Sequence, residues 1–199
     1  MRLEELKRRF SEFTQERRDE LALRSARIGD FLYDLVIQNG LLNVLEIGTC
    51  RGRNSAFLTA ACEETGGHFW GMDIGPGDCD SVERVMKQLG LTNFTQICNP
   101  SLPHMSVIMS ENNINLAFID GEHSFKSTYS EYCIAKDLIN KENGIILFHD
   151  VDYIHCDSKE DKGIPETVRR SGATILQVND DKVAYLLYGT AIIPEQWIK

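Results

Sequence analysis

Three short stretches of this chain are apolar almost without a break: residues 44–47, interrupted only by Glu46, residues 114–119, interrupted only by Asn115, and residues 145–148. Runs of this length without polar alternation fit strands covered on both faces. Two more strands are predicted at 68–73 and 94–98. Between them, apolar residues recur at spacings of three and four, which predicts helices over 53–64, 82–89, 102–110 and 125–140. A further helix is expected over 165–170, with Pro165 at an allowed first-turn position. Residues 174–178 and 183–188 flank a turn at Asn179-Asp180-Asp181 and read as a hairpin. Strands alternating with helices predict an α/β fold: a parallel, doubly wound, Rossmann-like sheet with helices on both faces.

The first 39 residues differ from the rest. Leu3, Leu6, Phe10 and Phe13 form one apolar stripe on a charged helix, and a second helix over 28–37 ends at Asn39-Gly40. This divides the chain into an N-terminal helical extension, 1–39, and a main domain, 40–199. The stripe has two candidate partners, the domain itself or a second copy in a homodimer. Gly75-Pro76-Gly77-Asp78 reads as a loop, with Ser81 capping the helix after it.

The first apolar run ends in Glu46-Ile47-Gly48-Thr49-Cys50-Arg51-Gly52. Glycines at 48 and 52 let the backbone turn sharply and approach a ligand. The helix that follows offers unpaired N–H groups. The middle glycine of the dinucleotide fingerprint is missing, which weakens a nicotinamide-dependent oxidoreductase as the alternative reading. Two acids sharpen the choice. Glu46 precedes the turn, and Asp73 ends the next strand, where a carboxylate can accept from two ribose hydroxyls. A nucleoside carrying an amino acid suits both acids better than a pyrophosphate, which they would repel.

Charge and composition narrow the partners. The net charge of −9 over 199 residues excludes a predominantly nucleic-acid partner. No apolar run reaches the length of a membrane span, and Met1-Arg2-Leu3-Glu4-Glu5 is too charged for a signal peptide. Cys50, Cys62, Cys79, Cys98, Cys133 and Cys156 form no C-x-x-C pair, so reduced thiols in a cytoplasm are expected.

A second constellation follows strands four and five: Asp120-Gly121-Glu122-His123 and His149-Asp150. Both lie at carboxyl ends of strands and should face the crevice lined by the glycine turn. Converging carboxylates suit a hard divalent cation such as Mg²⁺. His123 has the pKa range of a general base.

The E-x-G-x-x-x-G turn with its acidic strand end resembles the class I S-adenosylmethionine (SAM)-dependent methyltransferases. Residues 118–125 and 144–151 resemble the metal-dependent small-molecule O-methyltransferases, most closely the macrocin-type sugar O-methyltransferases and the cephalosporin hydroxylase-like group. The resemblance covers roughly residues 40–190. It implies a seven-stranded sheet ending in an antiparallel hairpin and O-methylation of a sugar, phenol or natural-product hydroxyl. It implies SAM held by Glu46, Gly48, Thr49, Cys50, Gly52, Asp73 and Ile74, with Asn99 and Asp120 near it. It further implies His123 as base and Asp120, His149 and Asp150 around Mg²⁺ or Mn²⁺. The chain departs from the pattern at His149, where the sugar enzymes carry an acid, and at Val151, where the catechol-type enzymes carry an amide. Fewer carboxylates favour Mn²⁺ over Mg²⁺. A metal-free reaction with His123 alone as base stays open, as does a non-catalytic ligand-binding protein of the same fold. Asn99 also fits an ordinary turn before Pro100, and His149 also fits a histidine that only shapes the pocket. The acidic segment 151–164 reads as a lid; the other reading joins Asp152, His155 and Cys156 to His149 in a softer metal cluster.

Overall fold

The computed structural model describes residues 1–17, 28–100, 102–152 and 163–198. His155 and Cys156, and most of the expected lid, lie outside the described residues, as does the side chain of Phe13. The seven strands are β1 (Asn43–Ile47), β2 (His68–Asp73), β3 (Phe94–Cys98), β4 (Leu116–Ile119), β5 (Asn143–Phe148), β6 (Thr174–Val178) and β7 (Asp181–Gly189). They form one sheet in the order β3-β2-β1-β4-β5-β7-β6. The first five run parallel, and β7 is antiparallel to both β5 and β6. From β1 the chain adds β2 and β3 on one side, then returns to add β4 and β5 on the other. The crevice lies where that direction reverses, at the carboxyl ends of β1 and β4.

The apolar runs split by a period of two. Val44, Leu116, Phe118, Ile145 and Leu147 enter one core cluster; Leu45, Ala117, Ile119, Ile146 and Phe148 enter the other. This is why the sequence shows no polar alternation: each face of the sheet has its own helical cover. Residues of α2 (Gly29–Asn39), α3 (Arg53–Thr65) and α4 (Pro76–Leu89) belong to the first cluster. Residues of α5 (Leu102–Asn112), α6 (Phe125–Leu138) and α7 (Gly163–Ser171) belong to the second.

The stripe on α1 (Leu3–Arg17) packs within the chain. Leu6 is fully buried, Phe10 meets Phe57 with ring centroids 6.1 Å apart, and Arg9 Nη1 donates to the Leu89 carbonyl at 3.2 Å. No helix among the described residues is long and apolar enough to cross a membrane.

Two local expectations are corrected. Pro76, Gly77 and Asp78 form the first turn of α4 rather than a loop, since the Gly75 carbonyl accepts from the N–H groups of Asp78 and Cys79. Proline has no N–H to lose at that position, and Asp78 favours the positive helix end. Ser81 therefore lies inside α4, where its hydroxyl donates to the Gly77 carbonyl. The second correction concerns the thiols. Cys79 and Cys98 form a disulfide with Cα atoms 6.1 Å apart, because the crossover through α4 returns β3 beside its own first turn. Cys50, Cys62 and Cys133 are free.

Candidate active site

The turn after β1 is built by backbone contacts. Gly48 has φ +88°, and its N–H donates to the Met72 carbonyl at 2.8 Å. A Cβ at Gly48 would collide with the backbone of Asp120 and Gly121. Only glycine allows β1 and β4 to approach this closely. Cys50 continues the turn with φ +47° and donates its N–H to Asp73 Oδ2 at 2.7 Å. Gly75 N–H donates to Asp73 Oδ1 at 2.9 Å. Each carboxylate oxygen of Asp73 thus takes one backbone donor and keeps a lone pair for a ligand. Gly52 opens α3 with no side-chain cap, and Thr49 accepts from Gln96 Nε2 at 3.0 Å.

Glu46 lies beneath this turn. It is 1% exposed and accepts from Ser55 Oγ at 2.5 Å. Burial lifts its carboxyl well above the usual range, the Ser55 hydrogen bond opposes that rise, and Asp120 and Asp73 add to it. A cationic amino group above it would be the natural counter-charge.

A cavity of about 580 Å³ opens at the strand ends, within the range of small-molecule sites. Of the sequence-predicted residues, Gly48, Cys50, Asp73, Ile74, Asp120 and His123 line it. Ile74 stands 73% exposed there. Glu46, Thr49, Gly52, Asn99, His149 and Asp150 are not in the lining. Asn99 is an exposed turn residue with φ +53° whose N–H bonds the Asp73 carbonyl. Pro100, Leu102 and Met105 form the wall beyond it.

The second constellation converges as the strand ends predict. His149 Nδ1 lies 2.9 Å from Asp120 Oδ1 and 3.6 Å from Asp150 Oδ1. His123 Nε2 lies 3.0 Å from Asp150 Oδ2. Asp150 holds φ +49°, a left-handed conformation that Asp tolerates better than most residues, and so serves both histidines. Asn54 Nδ2 donates to Asp120 Oδ2 at 3.3 Å. Burial works against a charged His149, but Asp120, Asp150 and Asp181 outweigh it and push the ring's pKa up to about 9. Burial likewise raises Asp120, against the pull of His149. Both shifts describe one proton held between Nδ1 and Oδ1. The hydrogen bond that His123 donates to Asp150 is the main cause that raises its pKa.

One atom each from Asp120, His149 and Asp150 falls within 4.8 Å of the others. The N,O,O donor set now shares a proton, which a divalent cation could replace, so the residues fit such an ion.

Three members of this region were not apparent from the sequence. Asp181, at the start of β7, lies 3.7 Å from His149 Nε2. It reaches the site only because β7 docks antiparallel on β5, pairing Ala184 with Phe148. Lys126 and Glu131, both on α6, line the cavity. The alternative cluster is not supported at Asp152, whose carboxylate pairs with Lys182 at 2.8 Å.

The model of a family described as "Methyltransferase domain" matches residues 45–151. No curated protein sequence is significantly similar to the chain. Solved structures share the fold. An O-methyltransferase from Bacillus cereus in complex with SAH has TM-score 0.70 and 18% identity, over 94% of this chain and 92% of that one. The O-methyltransferase TomG from Streptomyces achromogenes, in complex with SAM, has TM-score 0.67 and 19% identity, over 95% and 92%. The SAH-bound Podospora anserina methyltransferase PaMTH1 has TM-score 0.68 and 17% identity, over 94% and 88%.

Proposed function

The chain belongs to the methyltransferase domain family, whose model matches residues 45–151, more than half its length, and on that premise we propose that it transfers a methyl group from SAM to a hydroxyl oxygen of a small molecule. The observation that carries this reading is a single cavity lined both by Asp73 and by Asp120 and His123. Asp73 has one lone pair per oxygen for the two ribose hydroxyls. The backbone of Gly48 and Cys50 supports the methionine portion, and buried Glu46 lies under its amino group.

A sulfonium methyl is already electrophilic, so the protein's tasks are alignment and deprotonation of the acceptor. With His123 Nε2–H donating to Asp150, Nδ1 takes the acceptor's proton, and Asp150 stabilises the imidazolium that results. Asp120, His149 and Asp150 would hold a divalent cation. Bound there, it would lower the pKa of the acceptor hydroxyl and orient its oxygen. Asp181 lies 3.7 Å from the far nitrogen of His149, beyond hydrogen-bond reach, and adds negative charge on that side of the ring. The acceptor is a sugar, phenol or natural-product hydroxyl, in keeping with an acidic chain poorly suited to nucleic acid.

Residues 40–199 hold these groups, and α1 and α2 act as a helical cover. A homodimer through that cover would have to use its outer face, since Leu6 is buried within the chain; light scattering reads this directly. The test of the function is calorimetric titration with S-adenosylhomocysteine (SAH) and, in parallel, NADH. SAH should bind and NADH should not. The reverse result would replace the reading with an oxidoreductase.

A further inference from the structure

One half-buried acid in the cavity has no part in the mechanism above. Glu131, on α6, lines the cavity, and its Oε2 is buried with no hydrogen-bond partner among the described residues. Its Oε1 lies 3.7 Å from where a Cβ on Gly121 would stand, which sets the carboxyl beside the backbone that follows Asp120. A buried polar group without a partner costs free energy and calls for a ligand or a structural reason. No salt bridge or hydrogen bond to Oε2 among the described residues explains it.

The position fits one part of the donor. This step rests on the SAM reading given above. If Asp73 grips the ribose and the reactive carbon points toward Asp120, the base leaves the sugar on its other side. The rest of the cavity's lining includes the apolar Ile74, Pro100, Leu102 and Met105, the bare Gly121, and Glu131 beside Lys126, Ser127 and Ser130 of the same helix. Apolar side chains and a bare glycine suit the faces of a purine ring; an acid suits its edge. We infer that Glu131 reads the amino edge of the donor's adenine, its carbonyl oxygen accepting from the 6-amino group and its O–H donating to a ring nitrogen. That pairing needs a neutral carboxylic acid. Burial, helped by the charge of Glu122, pushes the Glu131 pKa up to about 8. Glu131 thereby takes the base contact that the sequence offered to Asn99, which stands off the cavity.

The test is a cycle of binding measurements. Wild type, Glu131→Leu and Glu131→Gln are titrated with SAH and with its analogue lacking the 6-amino group. Wild type should lose about tenfold or more in affinity when the amino group is deleted, the worth of a well-made hydrogen bond in a dry site. Glu131→Leu should bind SAH about tenfold more weakly and be indifferent to the deletion. Glu131→Gln, which keeps one donor and one acceptor, should retain both SAH affinity and sensitivity to the deletion. If Glu131→Leu responds to the deletion as strongly as wild type, Glu131 does not read the base and the inference is overturned. If wild type binds no SAH at all, the donor reading itself fails, a result distinct from loss of the coupling.

Discussion

Replacing Gly48 by alanine tests the joint on which the site rests. Two costs can be worked from the structure. The first is conformational: φ +88° is a region that L-residues avoid, at about 1–2 kcal/mol. The second is contact: the new Cβ meets backbone atoms of Asp120 and Gly121, which no rotamer change can relieve. Forced overpacking of this kind costs about 1–3 kcal/mol. Together they give about 2–5 kcal/mol. A chain of 199 residues melts with an entropy near 0.4 kcal/mol/K, so the midpoint should fall by roughly 5–12 °C. Gly66→Ala is the control. Gly66 has φ +75° with nothing within 4 Å of its Cβ position, so it carries the conformational cost alone, roughly 2–5 °C. Thermal unfolding by circular dichroism compares the two. Equal shifts in both variants would refute the contact between the β1 turn and β4, and with it the close seat proposed for the donor.

The other predictions concern chemistry and charge. His123→Ala should lower turnover by about 10²–10⁴-fold while SAH affinity stays within about threefold; a parallel loss of SAH binding would remove His123 from the base role. Asp73→Ala forfeits two charge-assisted contacts to ribose and should weaken SAH by about 100-fold or more in calorimetry, so unchanged affinity would reject that assignment. Manganese titrated into the protein should bind, and Asp120→Asn should weaken it by at least about tenfold without abolishing SAH binding; identical manganese isotherms would argue for the metal-free mechanism. Glu131 gives a pH dependence of defined sign. Its carboxyl rises from 4.5 to about 8 on folding, so between those values the native state keeps a proton that the unfolded chain releases. Wild-type stability is therefore lowered as pH climbs through that window, by at most about 1.4 kcal/mol per unit from this group. Glu131→Gln does not titrate, so its melting point should gain on wild type between pH 5 and pH 7.5. A gap that stays constant with pH would show that the acid is solvated in the native state.

What could be read from the sequence follows from how local each feature is. The β1 strand, its glycine turn and the acid ending β2 are contiguous signals, and the structure brings Cys50 and Asp73 into direct contact. The two apolar runs that became β4 and β5 announced their own carboxyl ends, so Asp120, His149 and Asp150 were found as a group. The misses are of another kind. Asp181 belongs to an ordinary turn sequence and becomes a neighbour of His149 only through antiparallel docking. Glu131 sits among Ser127, Ser130 and Lys126 on a helix whose polar residues look solvent-facing, yet that face borders a cavity. Cys79 and Cys98 carry no spacing signal because their meeting depends on a whole crossover. The Gly-Pro-Gly-Asp stretch misled because proline and glycine serve loops and helix starts alike.

The order in which the site's parts leave the ribosome differs from the order in which they work. Glu46, Gly48 and Asp73 are made first, Asp120 and His123 next, and the hairpin bearing Asp181 almost last. A growing chain can therefore own its nucleoside seat while His149 still lacks the third of the acids that face it.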